Sequence, residues 1–169
     1  MNVTTNGTLI TAERAVSLAA TVAEVRVSLY EDNPWRGALA TLAGAGIRTG
    51  ANIIVERERL ADLPQQLAEL PSLGCQDVAL LRYVGPDASR ELGVSEVKTL
   101  SAIIRDAPVR VRLSTCFSNA LPDVPRLFSS GDCGAGNDFI TITPDQKLKA
   151  CSFHGDAMPF ESAQQAIAL

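Results

Sequence analysis

Two cysteines bracket a short hairpin-like segment near the end of the chain, and a histidine follows the second one. Cys133 and Cys151 stand at the ends of CGAGNDFITITPDQKLKAC, and His154, the only histidine, comes three residues later. FITI and KLKA are strand-like runs, and the TPDQ between them is typical of a type I turn with proline in its second position. A hairpin would bring the two cysteines side by side. Thiolates placed in this way suit zinc or an iron–sulfur cluster.

A third cysteine, Cys116, follows the predicted strand VRVRLS and could reach the same point. The spacing is too wide for the paired CxxC knuckles of a zinc ribbon. The alternative is that these cysteines are small buried hydrophobic side chains, as free cysteines often are. That alternative is favoured for Cys75, which stands in a turn before a strand. A surface or hydrogen-bonded role is the corresponding alternative for His154.

The elements that must position these residues alternate along the first two thirds of the chain. Predicted helices separate the predicted strands, with Thr11 and Ser95 as N-caps and Gly46 and Gly74 just past helix ends. Short connections in a βαβαβαβαβ order predict a parallel sheet covered by helices, either barrel-like or doubly wound. The strands are NVTT, EVRVSLY, IRTGANIIV, DVALLRY and VRVRLS, and the helices are ERAVSLAATV, WRGALATLAGA, PQQLAEL and EVKTLSAIIRDA.

Polar side chains collect where these predicted strands end. In parallel sheets the carboxyl ends of the strands carry the ligand-binding groups. Ordinary turn chemistry accounts for the same residues equally well, so the pattern by itself leaves both interpretations open. The residues are Thr4, Thr5, Asn6, Ser28, Asn52, Tyr83 and Cys116.

Composition excludes several classes of protein. The 169 residues suit one domain, or one and a small appendage, and a net charge of −4 gives no basic footprint for nucleic acid. No apolar run is long enough to cross a membrane, and the first residues do not read as a signal peptide, so we expect a cytoplasmic protein. Cysteines in that compartment are ligands or thiols more often than disulfides. Neither G-x-S-x-G nor G-x-x-x-x-G-K-[ST] occurs.

Taken in order, these motifs resemble the C-terminal portion of a radical SAM protein with a SPASM or shortened twitch cluster domain. VTTNG, RVSLY, GIRTGANIIV and DVALLRYVGP resemble the third to sixth barrel strands of that family, and CGAG followed by I-T-P-D and a cysteine resembles its cluster-binding hairpin. The resemblance covers nearly the whole chain. It implies an α/β fold with an incomplete (β/α) barrel-like parallel sheet in residues 1–115 and a small cysteine-bearing β-hairpin cluster domain in residues 116–169.

The resemblance also implies a site. Cys116, Cys133 and Cys151 would bind one auxiliary 4Fe-4S cluster, with His154 or a substrate atom at the remaining iron. Thr4 and Ser28 fall where the family contacts S-adenosyl-L-methionine, and Asn6 and Asn52 match the cofactor-binding positions less specifically. The substrate would be a peptide or a small molecule.

The chain departs from the family at points that bear on catalysis. The CxxxCxxC loop that holds the catalytic cluster and the GGEP motif are both absent, Tyr30 stands where Asp is usual, and Gln146 stands where the turn usually has Gly. We therefore expect no catalysis by the chain alone, and either a separate N-terminal radical SAM half or self-association through the edge of the first strand. A stand-alone iron–sulfur or zinc-binding module and an ordinary α/β domain with incidental cysteines are the alternatives.

Overall fold

The computed structural model describes residues 2–117, 120–127, 135–136, 140–151, 155–162 and 164. The chain forms two compact units, Met1–Leu127 and Phe128–Leu169. Residues 115–127, which follow the last strand of the parallel sheet, therefore belong with the first unit. Among the described residues, no helix is both long and apolar enough to cross a membrane.

The first unit is built on a five-stranded parallel sheet whose strands lie in chain order, β1-β2-β3-β4-β5. A helix follows each of the first four strands, which confirms the predicted alternation. Short 3-10 segments occur at Leu70–Leu73, Ala88–Arg90 and Thr115–Phe117. The strands are β1 (Asn2–Thr5), β2 (Glu24–Ser28), β3 (Arg48–Val55), β4 (Cys75–Arg82) and β5 (Arg110–Leu113), and the helices are α1 (Ala12–Ala19), α2 (Trp35–Gly44), α3 (Leu63–Glu69) and α4 (Val94–Arg105).

One face of this sheet carries the hydrophobic core. Right-handed crossovers between neighbouring parallel strands place every helix on the same side of a sheet. Alternate strand residues accordingly pack with buried residues of all four helices, while the residues between them face the other way. The core includes Val25, Val27, Ala51, Ile53, Val78, Leu80, Val111 and Leu113 from the strands, and Ala15, Leu39, Leu42, Leu67 and Leu100 from the helices.

The helix ends follow the predictions with one exception. Thr11 caps α1, because its side chain accepts the backbone N–H of Arg14. Ser95 is not a cap: it lies inside α4, where its hydroxyl donates to Glu96 at 2.9 Å. The N-cap of α4 is Gly93, and the Glu96 carboxylate reaches back to the backbone of that residue, as the acidic residue of a capping box does.

The two edges of the parallel sheet differ. Beyond β5, the segment around Arg126 pairs in parallel with Leu113, through hydrogen bonds of 2.9 Å from Leu113 to Pro125 and 2.8 Å from Leu127 to Leu113. Beyond β1, no strand of the described part of the chain is paired. The β5 edge is therefore paired by the chain itself at its carboxyl end, and β1 is an edge strand without a described neighbour.

The second unit contains the predicted hairpin. Strands β6 (Thr141–Ile142), β7 (Lys147–Lys149) and β8 (Met158–Pro159) form an antiparallel sheet in that order. The turn between β6 and β7 is closed by a 3.0 Å hydrogen bond from Gln146 to Thr143. Gln146 has φ +56°, so it occupies the left-handed position for which glycine is the ordinary choice. Most of the predicted C-terminal helix ESAQQAIAL lies outside the described residues.

Candidate functional site

The sheet face that carries none of the described helices is the candidate functional site, and we call it the open face. Its members follow from strand alternation and from the register, in which Thr4 pairs with Arg26 and Ser28 with Asn52. The open face is strongly polar, in contrast to the core face. It comprises Asn2, Thr4, Glu24, Arg26, Ser28, Arg48, Gly50, Asn52, Ile54, Asp77, Ala79, Leu81, Arg110 and Arg112.

Arg26 is the centre of a buried network on the open face. Its guanidinium donates to Glu24 at 2.7 Å, to Asp77 at 2.5 Å, to the Asn52 side-chain oxygen at 2.9 Å and to the Ala51 carbonyl at 2.8 Å. The Arg26 side chain is only 10% exposed. A guanidinium removed from water in this way needs partners for its donors, and four acceptors bind four of its five N–H groups here.

Asp77 links Arg26 to a second arginine. Its other carboxylate oxygen accepts from Arg112 at 2.7 Å, and its side chain is only 3% exposed. Burial by itself raises the pKa of Asp77, but the hydrogen bonds and charges of Arg26 and Arg112 outweigh burial and hold this pKa below its ordinary value. Asp77 is therefore a fixed negative charge at neutral pH.

Gly50 makes room for the network. A Cβ atom on Gly50 would lie 2.6 Å from Nη1 and 2.9 Å from Cζ of Arg26, so the guanidinium lies across the backbone where any other residue would place its side chain. This glycine has no positive φ, so it is required for space and not for backbone conformation.

The open face carries an excess of positive charge, although the chain as a whole has a net charge of −4. Four arginines, at positions 26, 48, 110 and 112, stand against two carboxylates, Glu24 and Asp77. Arg48 is half-exposed and lies 3.7 Å from both carboxylates, beyond hydrogen-bond distance. The Nε of Arg112 is buried and has no hydrogen-bond partner among the described residues.

Three of the four predicted cofactor-binding residues share the open face. Thr4 is exposed on β1, Ser28 ends β2, and Asn52 lies beside Ser28 on β3. Asn6 lies just after β1 and is exposed, and its side-chain oxygen is engaged by the hydroxyl of Thr8 at 2.8 Å. The sheet therefore brings Thr4, Ser28 and Asn52 to one surface, and it leaves Asn6 in a local turn.

The predicted cluster ligands are divided between the two units. Cys116 lies in the 3-10 turn after β5, is half-buried, and accepts a hydrogen bond at its carbonyl from Arg82 at 3.4 Å. Cys151 is half-buried and follows β7 in the second unit. Cys133 and His154 lie outside the described residues. Within the part of the chain that is described, no three His, Cys, Asp or Glu residues are grouped as metal ligands.

Cys75 behaves as the buried thiol that its position predicts. It is 5% exposed, and its thiol donates to the Asp77 carbonyl at 3.3 Å. Burial raises the pKa of Cys75 to about 11, so the thiol is protonated and unreactive at neutral pH.

The network of Arg26, Asp77 and Arg112 was not among the residues that the sequence singled out. The sequence did contain an indication of Arg26 and Arg112, because charged and apolar residues alternate strictly in EVRVS and RVRL. Such alternation indicates a strand with one apolar and one polar face. A scan against protein-family models and a search of the curated proteins both found no match for this chain.

Proposed function

We propose that this chain is the C-terminal part of a radical SAM-type enzyme, in which the open face forms one wall of a barrel interior and the hairpin unit serves an auxiliary 4Fe-4S cluster. The single observation that supports this most is the architecture of the sheet. Five parallel strands in strict chain order, with helices on one face and charges on the other, match half of a (β/α) barrel.

The polarity of the open face argues against a doubly wound sheet. A parallel sheet covered by helices on both faces has strands that are apolar on both sides. Arg26, Asp77 and Arg112 are charged residues on a face where a doubly wound sheet would carry apolar ones. A barrel interior that holds a polar ligand has no such conflict.

The positions on the open face support a role in holding S-adenosyl-L-methionine. Thr4, Ser28 and Asn52 would contact the cofactor, with hydroxyl and amide groups suited to its ribose and methionyl parts. The chain alone would not cleave this cofactor, because its sequence contains no CxxxCxxC. Its reductive cleavage needs a cluster held by those three cysteines.

For the auxiliary cluster, Cys116, Cys133 and Cys151 would supply thiolates, and His154 would supply the remaining ligand. The two of these residues that are described are half-buried, each following a strand, and such partial exposure fits a ligand better than a core residue. A cluster bound there would supply electron-transfer or substrate-anchoring capacity.

The unpaired edge of β1 supports a partner for this half barrel. Asn2, Val3, Thr4 and Thr5 contain no charge or proline, the usual protection of a free edge. We propose that a separate N-terminal radical SAM half, or a second copy of the chain, pairs with this edge.

Anaerobic reconstitution with iron and sulfide tests the proposal. We expect one 4Fe-4S cluster per chain, with iron content sharply reduced by Cys116→Ala, Cys133→Ala or Cys151→Ala and unchanged by the matched control Cys75→Ala. A chain that binds neither iron nor zinc would refute the cluster. Detection of 5′-deoxyadenosine from S-adenosyl-L-methionine and reductant with this chain only would refute the incomplete-enzyme assignment.

A stand-alone iron–sulfur or zinc-binding module is the second candidate. It is favoured by the first unit's own contiguous core, which is what a protein folding without a partner requires. Stoichiometric zinc without iron uptake, in a chain that stays monomeric, would support this candidate.

A further inference from the structure

A cavity lies at the carboxyl ends of β4 and β5, outside the open face, and its wall reaches Phe117, the residue after Cys116. Its volume is about 440 Å³, which lies in the size range of small-molecule sites. Residues from the end of β4, the first turns of α4 and the 3-10 turn after β5 form its walls. They include Arg82, Leu92, Val94, Val97, Lys98 and Phe117.

The cavity is mainly apolar. Phe117 is almost fully buried, and Leu92 and Val97 are half-buried against the core. Val94, in contrast, is 78% exposed, the highest exposure of any large hydrophobic residue in the described part of the chain. An apolar ligand in this cavity would cover Val94 and gain the free energy of that burial.

The charges around the cavity leave one cation without a partner. Arg82 pairs with Glu91 at 3.2 Å, and Glu96 pairs with Arg57 at 3.6 Å, so these four charges compensate one another. Lys98 lines the cavity, and its ammonium group has no ion pair or hydrogen bond to any described residue. An ammonium group beside an apolar cavity is complementary to a ligand with one negative charge.

We propose that this cavity binds a small carboxylate with an apolar body, whose carboxylate pairs with Lys98 and whose body packs on Val94, Val97 and Phe117. This inference is independent of the cluster and of the barrel partner. The location fits it, because parallel sheets bind ligands beyond the carboxyl ends of their strands.

Titration of the full chain with octanoate, followed by amide chemical shifts, tests the proposal, with octanol and octylamine as matched probes. We expect shifts centred on Val94, Val97 and Lys98, with octanoate binding about three- to tenfold more tightly than octanol, as an exposed charge pair allows. Lys98→Gln should remove that difference, whereas Arg105→Gln, a control in the last turn of the same helix, should preserve it.

A second pair of variants tests the apolar part without endangering the fold. Val94→Asp should weaken both octanoate and octanol, because it places a carboxylate at an exposed cavity wall, and Val16→Asp on exposed α1 should change neither. Octanoate shifts that map elsewhere, equal binding of octylamine, or a Lys98→Gln chain that still prefers octanoate would each overturn the proposal.

Discussion

Replacing Asp77 by Asn removes the carboxylate that two arginines of the open face share. Asp77→Asn keeps the size of the side chain but leaves the guanidinium of Arg26, itself 10% exposed, without its closest counter-charge. Breaking a buried ion pair from one side costs roughly 3–5 kcal/mol. Arg26 keeps Glu24, Asn52 and a backbone carbonyl, so we expect the lower end of that range, about 3 kcal/mol.

Urea unfolding followed by tryptophan fluorescence measures this loss. Trp35 is the only tryptophan and is 4% exposed in the core of the first unit, so its emission reports the unit that contains the network. Asp106→Asn is the control, because Asp106 and its partner Arg105 are both 75% exposed. We expect this control to lie within about 0.5 kcal/mol of the natural chain.

The pH dependence gives the same prediction an independent check. A carboxylate whose pKa is lowered by folding contributes stability above its unfolded pKa and loses it as the pH falls through its folded pKa. The natural chain should therefore lose stability below about pH 4, and Asp77→Asn should lose less over that interval. A cost under about 1 kcal/mol for Asp77→Asn would contradict the buried network.

Three further predictions concern the backbone and the buried thiol. Gln146→Gly should relieve the positive φ of the hairpin turn, worth about 1 kcal/mol, and slow hydrogen exchange of the hairpin amides. Gly50→Ala should cost about 1–3 kcal/mol in urea unfolding, because its Cβ would collide with Arg26. The control Gly37→Ala in α2, whose Cβ would meet nothing within 4 Å, should leave stability equal or higher. Equal costs for the two variants would contradict the close approach of Arg26 to Gly50. Cys75 should resist iodoacetamide in the folded chain and react after unfolding, as read by mass spectrometry; rapid native labelling would contradict its burial.

The alternation of strands and helices could be predicted from sequence because short apolar runs, caps and stop glycines recur at regular intervals. Thr11, Gly46 and Gly74 act locally, so their roles depend on few neighbours. The prediction of Ser95 as an N-cap was wrong, because α4 begins one residue earlier, at Val94. Its N-cap is Gly93, and the Glu96 carboxylate reaches back to the backbone of that residue.

The network on the open face could not be predicted in this way. Arg26 and Asp77 are 51 positions apart, and they meet because both pair with Gly50, Arg26 through the register of β2 against β3 and Asp77 through that of β3 against β4. The register of β3 against β4 shifts between Thr49 and Gly50. Because of this irregularity, Asp77 and not Gln76 faces Arg26. A slip of one residue would reverse the faces of β4, and no local pattern encodes which register is adopted.

The different edges of the parallel sheet limit how many partners the strands can recruit. A sheet with two unpaired edges can add copies at both ends and grow without limit, as fibrils do. Here the segment around Arg126 pairs with Leu113 at the end of β5, whereas β1 has no described neighbour on its outer side. The β1 edge can pair with one further strand. Two copies joined through β1 would form a two-fold dimer that uses this edge on both copies, and a different partner at β1 would exclude that dimer.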